Sequence, residues 1–106
     1  MTTVRVMYWK DIPCTVRAEA GRRQRVSRPL PDIYMAVVDA IAMKEGLTGS
    51  DAYQNEFHWG EAEERDGAPE DVAATVVEEV VAKYPKSWLI ERGKQAGASI
   101  DGETPL

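Results

Sequence analysis

From Thr3 to Trp9 the side chains alternate, with Val4, Val6 and Tyr8 on one side and Arg5, Met7 and Trp9 on the other, the period of two expected of a strand. Apolar bulk falls on both sides, which places this strand inside a sheet. Asp11, Ile12 and Pro13 close it. Thr15 to Ala20 alternates again, with Val16, Ala18 and Ala20 on one face and Arg17 and Glu19 on the other, and reads as a half-buried strand. Gly21-Arg22 supplies a tight turn, after which Gln24 to Ser27 folds back as the arm of a hairpin.

Pro29-Leu30-Pro31-Asp32 breaks the strand pattern and opens a helix that runs to about Glu45, with Gly46 as its stop. Leu30, Ile33, Tyr34, Val37, Val38 and Ile41 form a broad apolar stripe, so this helix is largely buried. Thr48-Gly49-Ser50-Asp51 is a loop, with Ser50 the N-cap of a single turn containing Tyr53. Phe57 to Arg65 predicts one further strand, with Phe57 and Trp59 on one face. Asp66-Gly67-Ala68 breaks the chain again. Pro69-Glu70-Asp71 starts a second helix, because proline suits the first position and the acids suit the positive end of the dipole. Val72, Ala73, Val76, Val77, Val80 and Val81 fall in pairs at helical spacing to about Tyr84, where Pro85 stops the run. Residues 87–92 add one short apolar element. Residues 93–106, with three glycines and one proline, read as a flexible tail.

The pattern therefore predicts an α+β fold over residues 1–92. It is a two-layer sandwich of three to four mainly antiparallel strands with two helices on one face, in the order ββ(β)αβα. A length of 106 residues leaves room for one core, and 43% hydrophobic content is enough to build it. Cys14 is the only cysteine and His58 the only histidine, which excludes an internal disulfide and leaves no ligand cluster for zinc. No metal or cofactor is expected. The amino terminus lacks the pattern of a secretory leader and no run is apolar enough for a membrane span, so a cytoplasmic, reducing location is expected.

The net charge of −5 disfavours nucleic acid as a partner, because neutralising phosphates takes a basic surface. Its distribution changes the picture more than its sum. Residues 17–28 carry Arg17, Arg22, Arg23, Arg25 and Arg28 against Glu19 alone, whereas residues 61–71 carry six acids against Arg65 alone.

Three blocks together carry a resemblance: Tyr8-Trp9-Lys10-Asp11-Ile12-Pro13; then Val38-Asp39-Ala40-Ile41-Ala42-Met43; then Gly46-Leu47-Thr48-Gly49-Ser50-Asp51-Ala52-Tyr53 with Trp59. They resemble a small bacterial domain family labelled virulence factor, over roughly residues 4–84. The chain is also similar to the carboxy-terminal part of the larger conserved virulence factor C, where such a domain follows helical repeats. The resemblance implies that Tyr8, Trp9, Asp11, Ile12, Pro13, Ala42, Met43, Gly46, Asp51, Tyr53 and Trp59 are signature positions that set the fold. It brings no catalytic residues. Members found beside folate and corrinoid methyl-transfer proteins imply an accessory role in one-carbon metabolism.

The residues themselves offer three chemistries. Asp11 beside Trp9 has the position of a general base, but a base needs a nucleophile, an oxyanion donor or a metal to work with. The reading preferred here is that Asp11 caps a turn and Lys10 is solvated. Cys14 and His58 would make a nucleophile and base if they met, against the simpler reading of a small buried hydrophobe and a strand residue facing solvent or a backbone partner. The arginine arm presents guanidinium groups suited to carboxylate or phosphate. It pairs either with the acidic strand Glu61-Glu63-Glu64 of the same molecule or with an external anionic partner. On the first helix, Met35 and Met43 flank Asp39 at spacings of four, an adaptable partner stripe or ordinary core filling.

The function expected from these features is a non-enzymatic interaction or accessory module that docks onto a larger protein, such as a methyl-transfer enzyme of one-carbon metabolism. Its rival is a small-ligand or anion-binding domain using the arginine arm. An enzyme built on Asp11, Cys14 or His58 comes third.

Overall fold

In the computed structural model, which describes residues 1–21, 23–47 and 51–97, the alternating segments pair as the pattern requires. Strand β1 (Thr2–Trp9) turns through Lys10 and Asp11 into β2 (Ile12–Ala20), and the two run antiparallel with Val4 opposite Ala18 and Val6 opposite Val16. Strand β3 (Gln24–Pro29) adds to the far side of β2, with Ala18 opposite Val26. The register between β1 and β2 shifts at Met7/Tyr8, where Cys14 is the extra residue on β2. Such a bulge bends the strand and brings Ile12, Pro13 and Cys14 inward together.

The strand expected over residues 57–65 is divided. β4 (Phe57–Trp59) and β5 (Glu63–Arg65) both pair with β1, giving the order β3-β2-β1-β4 with β5 alongside β4 on the same edge of β1. Gly60 N–H still donates to the Val6 carbonyl at 2.8 Å, but Glu61 and Ala62 then face only Arg5 before Glu63 meets Val4. The division is thus a bulge of one extra residue in a single edge. Gly60 is required at its start, since a Cβ there would sit 2.9 Å from Tyr8 Cε1 and 3.2 Å from the Val6 carbonyl oxygen. The central place read for β1 follows from its partners on both sides.

Helix α1 (Asp32–Lys44) buries Tyr34, Val37, Val38, Ile41 and Ala42, the stripe legible in the sequence. Beyond the two helices expected there are two more. Helix α2 (Asp51–Asn55) is a single short turn, and the N-cap expected at Ser50 lies outside the described residues. Helix α3 (Pro69–Lys83) starts on proline with Glu70 and Asp71 in its first turn, and packs across β1, β2 and β3 through Val72, Ala73, Val76 and Val80. Tyr84 N–H bonds the Val80 carbonyl at 2.8 Å and Pro85 then ends the run. The short apolar element is helix α4 (Lys86–Gln95), packed on α1. Its length carries ordered chain past residue 92, with Leu89 and Gly93 buried; residues 98–106 of the expected tail lie outside the described residues.

One core joins these elements. Val4, Trp9, Ile12, Cys14, Val16 and Ala18 of the sheet meet the buried faces of α1 and α3 and Leu89 of α4. The Tyr34 hydroxyl donates to the Tyr84 carbonyl at 2.6 Å and so ties α1 to the α3–α4 junction.

Trp9 is wholly buried, and Trp9→Ala is expected to remove about 3–5 kcal/mol, a large share of the stability of so small a domain. Chemical denaturation measures it; an unchanged midpoint would show that the indole is dispensable. Gly60→Ala should lose about 1–3 kcal/mol by forcing the Tyr8 ring or the strand edge aside, read by the same measurement.

Candidate functional site

The turn between β1 and β2 draws side chains from the end of α1, from β4 and from α4. Lys10 has φ 55, a left-handed conformation that a non-glycine residue holds only when its surroundings impose it. Its N–H donates to the Glu56 carbonyl at 3.1 Å, and its ammonium lies 2.7 Å from Glu45 Oε1 at the end of α1. His58 Nε2 sits 2.7 Å from the Lys10 carbonyl oxygen, which only accepts, so that nitrogen carries the proton. Lys10 is therefore not the solvated residue expected. Asp11 faces Arg92 of α4, whose Nε–H reaches Oδ1 at 2.8 Å and Oδ2 at 2.9 Å. A carboxylate held this way is occupied as an ion-pair acceptor, which weighs against a free general base. Beneath the turn, Trp9 Nε1–H donates to the Tyr53 carbonyl at 3.0 Å, and Tyr53 stacks edge-on against Phe57.

Cys14 and His58 are not brought together, because β1 lies between their strands. Cys14 is buried, and burial pushes its thiol up to about 11. Its Sγ–H donates to the Ile12 carbonyl at 3.4 Å. His58 is exposed and stacks on Tyr8 with ring centroids 5.7 Å apart. Among the described residues no group of three or more His, Cys, Asp and Glu is placed to hold a metal ion, and no described helix is long and apolar enough to cross a membrane.

The arm and the acidic strand stand apart. β3 occupies one edge of the sheet while β5 lies beyond β1 at the other, so Arg23 and Arg25 do not meet Glu61, Glu63 and Glu64. Glu63 has a different partner, since Arg65 bridges it to Glu79 of α3, its two terminal nitrogens 2.7 and 2.6 Å from the Glu79 carboxylate. The guanidinium holds Glu79 below the usual carboxylate range. Arg25 instead reaches Glu19 at 3.5 Å across the hairpin. Arg23, Arg25 and Arg28 are exposed, and Arg22 lies outside the described residues. A cleft of about 330 Å³ separates Arg23 and Arg25 from Pro69, Glu70 and Asp71 at the start of α3.

On α1, Met43 is 71% exposed and Asp39 is exposed, while Met35 is half-buried against the core, so the expected stripe divides into a buried and a free half. Ala42 is buried, and Gly46 takes φ 72 just past the helix end, where glycine is favoured. Asp51 starts α2.

One juxtaposition was not legible in the sequence. Arg5 and Arg17 stand directly opposite each other in the β1–β2 ladder, on the face that alternation turns away from α3. The Arg17 guanidinium lies 4.5 Å from the centre of the Trp59 ring, and its Nε is buried without an acceptor. Strand register makes this arrangement, and no spacing along the chain announces it.

Residues 7–91 of the chain match the family model described as Virulence factor. No curated protein and no solved structure matches it.

With its thiol pushed up to about 11 against an ordinary 9.0, Cys14 should react with a thiol reagent near pH 8 about 100-fold more slowly in the native state than in the unfolded chain. The sign follows from the shift: the fold favours the protonated thiol, so its contribution is intact below 9.0 and is lost as pH rises through about 11. Rapid native labelling at neutral pH would revive the nucleophile reading, and Cys14→Ala should remove the part of the alkaline loss that sets in from pH 9.0, leaving the part due to Tyr8, Tyr34 and Tyr53, whose phenols burial also pushes above their ordinary value.

Proposed function

We propose, from the premise that the chain belongs to this virulence factor family, that it is a non-enzymatic interaction module that docks onto a larger protein through its basic edge. The observation that carries the reading is the position of β3. It is an edge strand exposed along most of its length, carrying Arg25 and Arg28 with Arg23 at its start, on a chain of net charge −5. The acidic strand that was its expected internal partner lies at the other edge of the sheet, and the acids near the arm are Glu19, beside Arg25, and Glu70 and Asp71 across the cleft. An edge strand offers unpaired backbone groups, and its arginines supply the charge that steers a partner of opposite sign.

The groups that would make an enzyme support this reading by their engagement elsewhere. Asp11 is bound by Arg92, Cys14 is a buried thiol and His58 serves the Lys10 carbonyl. The cleft beside the arm supports the anion-binding alternative less well, because Glu70 and Asp71 line it opposite the arginines. The one-carbon methyl-transfer enzymes suggested by the resemblance are the partners to test first.

Arg23→Gln with Arg25→Gln removes only exposed charges, and the Arg25–Glu19 pair contributes about 0–1 kcal/mol. The melting temperature should therefore stay nearly constant while association with a partner captured from cell extract on the immobilised protein slows about tenfold or more, an effect that added salt mimics. Kinetic binding measurements on the purified pair decide it. Unchanged association at low salt would remove the arm from the interface.

A further inference from the structure

The face of the sheet turned away from α3 carries Arg5 opposite Arg17, with Trp59 over Arg17 and Met7 beside it. Like charges directly opposite in a ladder repel. Neither guanidinium has a carboxylate within ion-pair distance among the described residues, although three acids stand near: Glu19 is turned to Arg25, Glu64 stands opposite Thr3, and Glu61 lies in the bulge across from Arg5. Arg17 adds a second unfavourable feature, since its Nε is closed off from solvent and has no acceptor. Stacking on Trp59 holds its guanidinium plane in place. A molecule of net charge −5 thus keeps an unneutralised arginine pair in the middle of a sheet face.

We propose that this pair is the receiving point for a carboxylate side chain of an acidic segment on the partner protein. The inference rests on the docking reading above and names the chemistry of the partner. A carboxylate has two oxygens, so it can accept from both guanidinium groups at once and turn their repulsion into a shared attraction. The face is that of an antiparallel sheet, which suits an acid presented by another protein's surface. Arg25 of the neighbouring strand lies on the same face, beside Glu19. Trp59 ends the three-residue edge strand β4 and is 37% exposed, so the ring stacked on Arg17 borders solvent.

The test uses a terminally blocked hexaglutamate peptide, with inorganic phosphate as a parallel probe, and follows the Arg17 Nε–H and Trp59 indole signals by NMR. Saturable shifts of both are expected with the peptide, weakened about tenfold by Arg5→Gln. Arg5→Gln should also leave the melting temperature unchanged or raise it, because it relieves the repulsion. A lower melting temperature, or peptide binding indifferent to Arg5→Gln, overturns the proposal. Phosphate binding as tight as the peptide's would assign a small-anion site instead, and shifts that grow with protein concentration alone would assign a second copy of the chain. Both outcomes also overturn it. With the captured partner, an effect of the arm variant without an effect of Arg5→Gln sinks this inference alone, whereas indifference to both sinks the docking reading as well.

Discussion

Burying Trp9 at the end of β1 removes its large apolar surface from water, but the indole N–H goes with it and must find an acceptor there. The Tyr53 carbonyl provides it, which fixes α2 over the sheet end and brings Phe57 and β4 alongside β1. The chain must then reverse within two residues, and Lys10 takes a left-handed conformation to do so. Its amide, carbonyl and ammonium are each held by a different element, and Asp11 is held by a further one. The signature turn is thus a structural junction, where sheet, α1, α2 and α4 are referred to one another.

That role engages the residues that suggested catalysis in the sequence. A base requires an unengaged lone pair beside a reactive group, and a nucleophilic thiol requires access and a lowered pKa. Here the carboxylate, the imidazole and the thiol each serve the fold, the last by staying neutral in the core. The charged surfaces are separated by topology. Arginines of β3 lie at one edge, while the acids of β5 at the other are partly neutralised through Arg65. The fold thus sets basic and acidic surfaces at opposite edges of one sheet.

The sequence by itself determined the elements whose periodicity is strong and local. β1, β2, α1 and α3 follow from alternation or paired apolar spacing, and Pro69 and Pro85 bound α3 because proline suits the first turn and stops a run. The family was legible as well, because its blocks are contiguous in the chain. The α4 helix was only half visible, since so few of its residues are apolar and burial of Leu89 and Gly93 against other elements stabilises it. The bulge at Glu61 and Ala62 was invisible, because it depends on what β1 offers opposite.

Only the tertiary structure decided which charges meet. Attraction between Arg23, Arg25 and Glu61 to Glu64 is a fair inference from a polarised chain, but strand order places β1 and β2 between them. Asp11 and Arg92 are far apart in sequence and in direct contact in space, as are Lys10 and Glu45. Register likewise set Arg5 against Arg17 and placed Trp59 above them, a proximity that no periodicity encodes. Hydrophobic patterning is a property of each segment alone, whereas electrostatic partnership is a property of the pairing between segments, and that is fixed only when the core closes.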